Sequence, residues 1–100
     1  RRDLRIGVAI GALRQLRLEL RRDEAEPLAD VLRGVSRHYR ALDPDAPAPA
    51  DPALLNDIDA AIDDLAASPR AAIRREAVLA LVSLRRNLFP LAQEYRSVTS

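Results

Sequence analysis

The sequence predicts an all-α domain, a small four-helix bundle made of two helix pairs joined by a proline-rich connector. Three observations carry this prediction. Apolar residues recur at helical spacing in four segments, no segment alternates with a period of two over the length of a strand, and Asp–Pro or Ser–Pro signals mark helix starts. The 100 residues are enough for one domain and not for two.

The first predicted helix covers about residues 3–22. Gly7 and Gly11 interrupt it, and each costs about 1 kcal/mol relative to Ala inside a helix. Because the two glycines are four residues apart, they leave a smooth strip that favours close packing inside the bundle, with the packing partner left open. The residues predicted to face inward are Ile6, Ala9, Ile10, Leu13, Leu16 and Leu20.

A break is predicted at residues 22–27, where Asp23 and Glu26 have the spacing of a capping box and Pro27 suits a first helical turn. The second predicted helix covers about residues 26–42. Near its end, His38 is expected to be partly exposed and stabilised by the helix dipole, without a catalytic role. The predicted buried residues of this helix are Leu28, Val31, Leu32, Val35, Tyr39 and Leu42.

Residues 43–51 are rich in proline and contain no large apolar side chain, which predicts an extended connector between the second and third helices. The pair Asp51–Pro52 then predicts the start of a third helix, because a cap residue is followed by proline at the first helical position. This helix covers about residues 52–67. Its predicted inward residues are Leu55, Ile58, Ile62 and Leu65.

Ser68–Pro69 repeats the same start signal for a fourth helix over about residues 69–88. Pro90 is expected to end it, which leaves residues 90–100 as a frayed tail. The inward residues predicted for this helix are Ile73, Ala77, Leu81, Leu84 and Leu88, with Val78 and Val82 at the margins.

The composition excludes several function classes. The chain has no Cys, Met or Trp, which excludes a disulfide scaffold, a thiol enzyme and a cysteine zinc site. With one His, a metal site would consist mostly of carboxylates, and the acidic cluster of the third helix lacks the pattern of a calcium loop. Glycine-rich and nucleophile motifs are also missing. We therefore predict no catalytic residue, no cofactor and no metal. The acidic cluster comprises Asp57, Asp59, Asp63 and Asp64.

The charge is unevenly distributed although the net charge is +1. Residues 1–40 carry +4, residues 41–66 carry −7 and residues 67–100 carry +4, with all sixteen basic residues being Arg. We expect the acidic middle to pair with the basic helices inside the fold. A nucleic-acid partner is not expected, because the chain lacks a strong basic excess and has only three aromatic residues.

Arginines of the fourth helix form two rows, since Arg74 and Arg85 are eleven residues apart, as are Arg75 and Arg86. Eleven residues make almost a whole number of turns, so each pair shares one side of the helix. Such a row can pair with aspartates of the third helix, dock another domain, or hold an organic acid in a small-molecule enzyme. The sequence leaves these alternatives open and favours the first two.

Two segments resemble a known family. RDLRIGVAIGALRQLR at residues 2–17 resembles the start of the soluble domain in fusaric acid resistance and aromatic acid exporter proteins, and ALVSLRRNLFP at residues 80–90 looks like its closing helix. The two segments cover about a quarter of the chain. The predicted order of helices and the proline-rich connector resemble those of the family's domain over nearly all of the chain.

The resemblance implies the C-terminal cytoplasmic domain of a bacterial inner-membrane efflux transporter for aromatic or hydrophobic carboxylic acids, with transmembrane segments preceding Arg1. The domain would have no membrane span of its own and would contact the transmembrane part and a second subunit. Arg5, Arg85 and Arg86 lie in the matching segments and are candidates for these inter-domain contacts. The alternative is a stand-alone helical protein–protein interaction or dimerisation module. In both cases we expect an exposed apolar patch.

Overall fold

The computed structural model describes residues 2–41 and 51–89. These residues form four helices and no strand, which confirms the predicted all-α four-helix fold. Three predictions fall outside the described residues: the burial of Leu42, the connector except for Asp51, and the tail at residues 90–100. The helices are α1 (Arg2–Glu19), α2 (Arg22–Ala41), α3 (Pro52–Ala66) and α4 (Ala71–Leu88).

The helices pack as a closed ring. Each contacts its neighbours along the chain, and α1 also contacts α4, whereas the diagonal pairs α1–α3 and α2–α4 do not approach each other closely. The α1–α4 contact is the most extensive and the α1–α2 contact is the smallest. α1 is therefore held mainly by the last helix and diverges from the helix that follows it directly.

The core lies at the centre of this ring, where one face of each helix is buried. Burying an aliphatic side chain contributes about 1.5–3 kcal/mol, so these faces supply most of the stabilisation. Ile10, Leu20, Ile73 and Leu88 pack against the core at its margins. The largest fully buried side chains are Leu13, Leu28, Val31, Ile58, Leu81 and Leu84.

The prediction that Tyr39 and Leu55 are buried in the core is wrong. Tyr39 is 41% exposed, and its ring makes a T-shaped contact with the ring of the half-buried His38 at a centroid distance of 5.5 Å. Leu55 is only half-buried, while Leu54 is 3% exposed. Leu54 fills the space beside Gly34 of α2, where no side chain competes for it.

The break between α1 and α2 lies earlier than predicted. α1 ends at Glu19, the connection consists of residues 20 and 21, and α2 begins at Arg22, so the predicted break at residues 22–27 is wrong. The carboxylate of Glu24, not Glu26, accepts a hydrogen bond from the backbone N–H of Arg21 at 3.3 Å. This is the reciprocal half of a capping box, with the cap position two residues before the predicted one.

Pro27 consequently lies inside α2, at its sixth position. A proline there removes one backbone hydrogen bond and crowds the preceding turn. The ring of Pro27 is half-buried at the α2–α3 contact. Packing against α3 thus offsets part of the local cost and lets the helix continue through the proline.

The predicted start of α3 is confirmed. Asp51 is the cap residue, and its carboxylate accepts a hydrogen bond from the backbone N–H of Ala53 at 2.9 Å. Pro52 occupies the first helical position, where a missing N–H is no loss.

The start of α4 differs from the prediction by two residues, because the helix begins at Ala71 and not at Pro69. The hydroxyl of the buried Ser68 accepts from the backbone N–H of Arg70 at 3.3 Å, which closes a turn before the helix. Arg70 itself occupies the cap position without a side-chain cap bond. The Ser–Pro pair therefore marks the α3–α4 turn and not the first turn of α4.

The interpretation of Gly7 and Gly11 as an internal packing strip is wrong. Both glycines are exposed, and beyond the adjoining residues and backbone of α1 itself no atom of the described residues lies within 4 Å of a Cβ built on either. The close approach instead occurs at Gly34, where a Cβ would lie 2.7 Å from Cδ1 of Leu54. The Gly7–Gly11 strip faces away from the bundle.

This contrast predicts opposite consequences of adding one methyl group. Gly7→Ala should raise the free energy of unfolding by roughly 0.5–1 kcal/mol, because it gains helix propensity in open space. Gly34→Ala gains the same propensity but must displace the buried Leu54, so it should be less stable than Gly7→Ala by at least about 1 kcal/mol. Urea unfolding followed by circular dichroism measures both, and equal gains would contradict the packing at Gly34.

Candidate functional site

A groove of about 950 Å³ lies between α1 and α2. It exists because these helices make the smallest contact in the ring. Five arginines surround it, and aliphatic side chains together with one serine form the rest of its lining. We call this feature the arginine groove. Its lining residues are Arg14, Arg17, Leu18, Ala29, Leu32, Arg33, Ser36, Arg37 and Arg40.

Helical spacing places the arginines on the two walls of the groove. On α2, Arg33, Arg37 and Arg40 are separated by four and three residues, so they share one face. On α1, Arg14 and Arg17 are three residues apart and face them across the groove. The sequence shows both spacings, but it does not show that the two sets face each other.

Within residues 2–41 and 51–89, the arginine groove carries an excess of positive charge. No carboxylate lines it, and its only ion pair within residues 2–41 and 51–89 joins Arg33 to Asp30 on the preceding turn. Guanidinium groups bind carboxylates with two parallel hydrogen bonds, and several together favour an anionic partner. The expectation that the basic and acidic segments pair throughout the fold is therefore only partly fulfilled.

Carboxylates collect instead in a cleft of about 270 Å³ between α2 and α3. They come from the first half of α2 and from α3, whereas the arginines of the groove come from α1 and the second half of α2. Among the described residues, no three His, Cys, Asp or Glu side chains are grouped so as to hold a metal ion. The cleft is lined by Asp23, Glu26, Pro27, Asp30, Asp57, Ala60 and Asp64.

Asp59, a member of the predicted acidic cluster, points away from this cleft and pairs with Arg85 of α4. Nε of Arg85 donates to Oδ1 of Asp59 at 2.6 Å, and Nη2 donates to Oδ2 at 3.5 Å. Arg85 is 6% exposed, and its Nη1 is buried and has no hydrogen-bond partner among the described residues. This fork-shaped pair links α3 to α4 at the margin of the core.

The three arginines predicted to make inter-domain contacts do not form one site. Arg5 and Arg86 are exposed on α1 and α4, whereas the guanidinium of Arg85 is enclosed within the bundle. None of the three lines the arginine groove. The buried position of Arg85 agrees with the alternative that it pairs with an aspartate of the third helix.

The row formed by Arg74 and Arg85 does not provide a free anion site. Nη1 of Arg74 donates to the backbone carbonyl of Ser68 at 2.9 Å, and Arg85 is bound to Asp59. Close by, Nη2 of Arg70 donates to the Glu24 carboxylate at 2.7 Å and joins the start of α4 to the start of α2. These arginines are occupied by structural bonds.

Comparisons with known proteins give no relative for this chain: no family model, curated protein or solved structure matches it. Within the described ranges, no helix combines the length and the apolar character needed to cross a bilayer.

The Asp59–Arg85 pair predicts a large loss of stability when one partner is neutralised. Asp59→Asn should lower the free energy of unfolding by roughly 2–4 kcal/mol, because it leaves the buried guanidinium charge without a counter-charge. Asp64→Asn, on the exposed side of the same helix, is the matched control and should change it by less than about 0.5 kcal/mol.

Chemical denaturation of the two variants measures this difference. The double variant Asp59→Leu/Arg85→Met should recover most of the stability, because it removes both buried charges together. Equal stability of Asp59→Asn and Asp64→Asn would show that the pair does not contribute.

Proposed function

We propose that this chain is a protein–protein interaction module that docks through the arginine groove onto a carboxylate-bearing segment of its partner. The observation that carries this proposal is the arginine groove itself, in which five guanidinium groups surround an aliphatic floor and no carboxylate of the described residues takes part. Leu18 and Leu32 supply apolar contact, while the arginines on both walls select negative charge and orient the partner.

The lining of the groove favours a protein segment over nucleic acid. None of the described residues that line it has an aromatic side chain on which a base could stack. The acidic cleft lies on the same helix, where it would repel a phosphate backbone extending beyond the groove. An amphipathic helix with apolar residues and glutamates on one side matches both the floor and the walls.

We also propose that the interaction takes place within an inner-membrane exporter of aromatic or hydrophobic carboxylic acids, on its cytoplasmic side. The support is the resemblance of residues 2–17 and 80–90 to that family and the matching order of helices. In such a protein, the acidic segment would belong to the transmembrane part or to a second subunit.

The gene upstream of Arg1 tests the exporter assignment. About six or more apolar segments of roughly 20 residues are expected there. A reading frame without such segments would contradict the exporter assignment and leave the stand-alone interaction module as the function.

Reversal of charge on one wall of the groove tests the docking proposal. The probe is a fluorescein-labelled amphipathic peptide with leucines and glutamates at helical spacing. Arg37→Glu/Arg40→Glu should weaken its binding by at least about tenfold, because two attractive contacts become repulsive. Arg75→Glu, on the exposed surface of α4 outside the groove, should leave binding within about twofold.

Fluorescence anisotropy at two salt concentrations measures both variants. Equal affinities for the two variants would contradict docking in the groove. Binding of an aromatic carboxylic acid such as 4-hydroxybenzoate in calorimetry, without binding of the peptide, would replace the protein partner with a small-molecule ligand.

A further inference from the structure

A second surface, on the side of α1 that faces away from the core, remains uncovered in the bundle. Its residues are separated by four, three, four and three positions, which is the heptad spacing of a helix that pairs with another helix. We call it the outer stripe of α1. It consists of Leu4, Val8, Gly11, Gln15 and Leu18, all of which are exposed.

Three of the five residues of the outer stripe are large apolar residues exposed to solvent. Leu4, Val8 and Leu18 are 68%, 72% and 79% exposed, although the same helix buries a complete set of residues on its other side. Around Gly7 and Gly11, no atom lies within 4 Å of a Cβ position, so a second helix backbone can approach closely there. The apolar exposure expected from the sequence is thus present, and it runs along one helix.

In the second half of the outer stripe, the two flanks carry opposite charges; in the first half, Arg5 lies on the same flank as Glu19. Arg14 lies on the flank toward α2, at the edge of the arginine groove. Glu19 lies on the flank toward α4, in a groove of about 400 Å³ that is also lined by Glu76. Arg14 and Glu19 are five residues apart, the separation at which flanking residues of two parallel paired helices meet.

We propose that the outer stripe of α1 binds the outer stripe of a second copy of this chain, with the two α1 helices parallel. A two-fold axis along the helices brings the α2-side flank of one copy against the α4-side flank of the other. Arg14 of each copy then meets Glu19 of the other, with Glu76 nearby as a second carboxylate. The apolar residues pair at the centre.

The charge on the Arg14 flank favours the parallel orientation. In an antiparallel pair, like flanks meet, so Arg14 would face the arginine-bearing flank of the second copy. Gln15 stands at a central position of the stripe, where two copies can hydrogen bond to each other and fix the register. The inference rests on the proposed role as an interaction module. The outer stripe shares Leu18 and the flanking Arg14 with the edge of the arginine groove, whereas Arg37 and Arg40 of the groove lie outside it.

Charge exchange tests the pairing. Arg14→Glu and Glu19→Arg should each shift the protein toward monomer in sedimentation velocity, because each variant places like charges across the interface. Arg14→Glu/Glu19→Arg should restore the dimer. Arg14 and Glu19 lie on opposite flanks of one helix, so the rescue reports a contact between copies.

The groove variant Arg37→Glu/Arg40→Glu is the matched control and should dimerise like the unchanged protein. It separates the two proposals, since it removes peptide binding and retains the dimer. A protein that stays monomeric at all concentrations, or a double variant as monomeric as the single variants, would overturn the inference.

Cysteine crosslinking tests the orientation, because the chain contains no native Cys. In a parallel pair, Leu4→Cys, Gly11→Cys and Leu18→Cys should each form a disulfide between identical residues under mild oxidation. Asn56→Cys on the exposed side of α3 is the control and should not crosslink. Crosslinking of Gly11→Cys without the other two would indicate an antiparallel pair and overturn the proposed geometry.

Discussion

The packing of α1 against α4 is the constraint on which the surfaces of this bundle depend. It is the most extensive contact between helices, and it closes the ring by joining the first helix to the last. Because α1 commits its buried face to α4 and the central core, it diverges from α2 and leaves the arginine groove between them. The same packing turns the outer stripe of α1 toward solvent.

The distribution of charge follows from this arrangement. A net charge of +1 conceals an arginine groove on one flank of α2 and an acidic cleft on the other. Acidic residues in the first turn of α2 and basic residues in its last turn also complement the helix dipole. The ion pair between the buried Arg85 and the half-buried Asp59 holds α3 against α4. Positive charge near α1 therefore remains available for a partner.

The sequence predicts the structure correctly where a local signal and the tertiary packing favour the same conformation. Asp51–Pro52 caps α3 as predicted because the Asp51 carboxylate and the Pro52 ring both act on the backbone of their own segment. Local signals failed where tertiary contacts decide, as at Pro27, which α3 holds inside a helix, and at Leu54, which is buried because Gly34 leaves room for it. The sequence shows the helical spacing of the five groove arginines on each of two helices. It does not show that the two sets line one groove, because that depends on how far α1 diverges from α2.

Methyl nuclear Overhauser effects measure the packing of α1 against α4 most directly. Ala9 and Leu16 of α1 lie with Ala80 of α4 beside one groove. In a specifically methyl-labelled sample, cross-peaks from both α1 residues to the Ala80 methyl are expected. Absence of these cross-peaks, with cross-peaks from α1 to Ile58 of the diagonal helix α3 in their place, would show that α1 does not pack against α4.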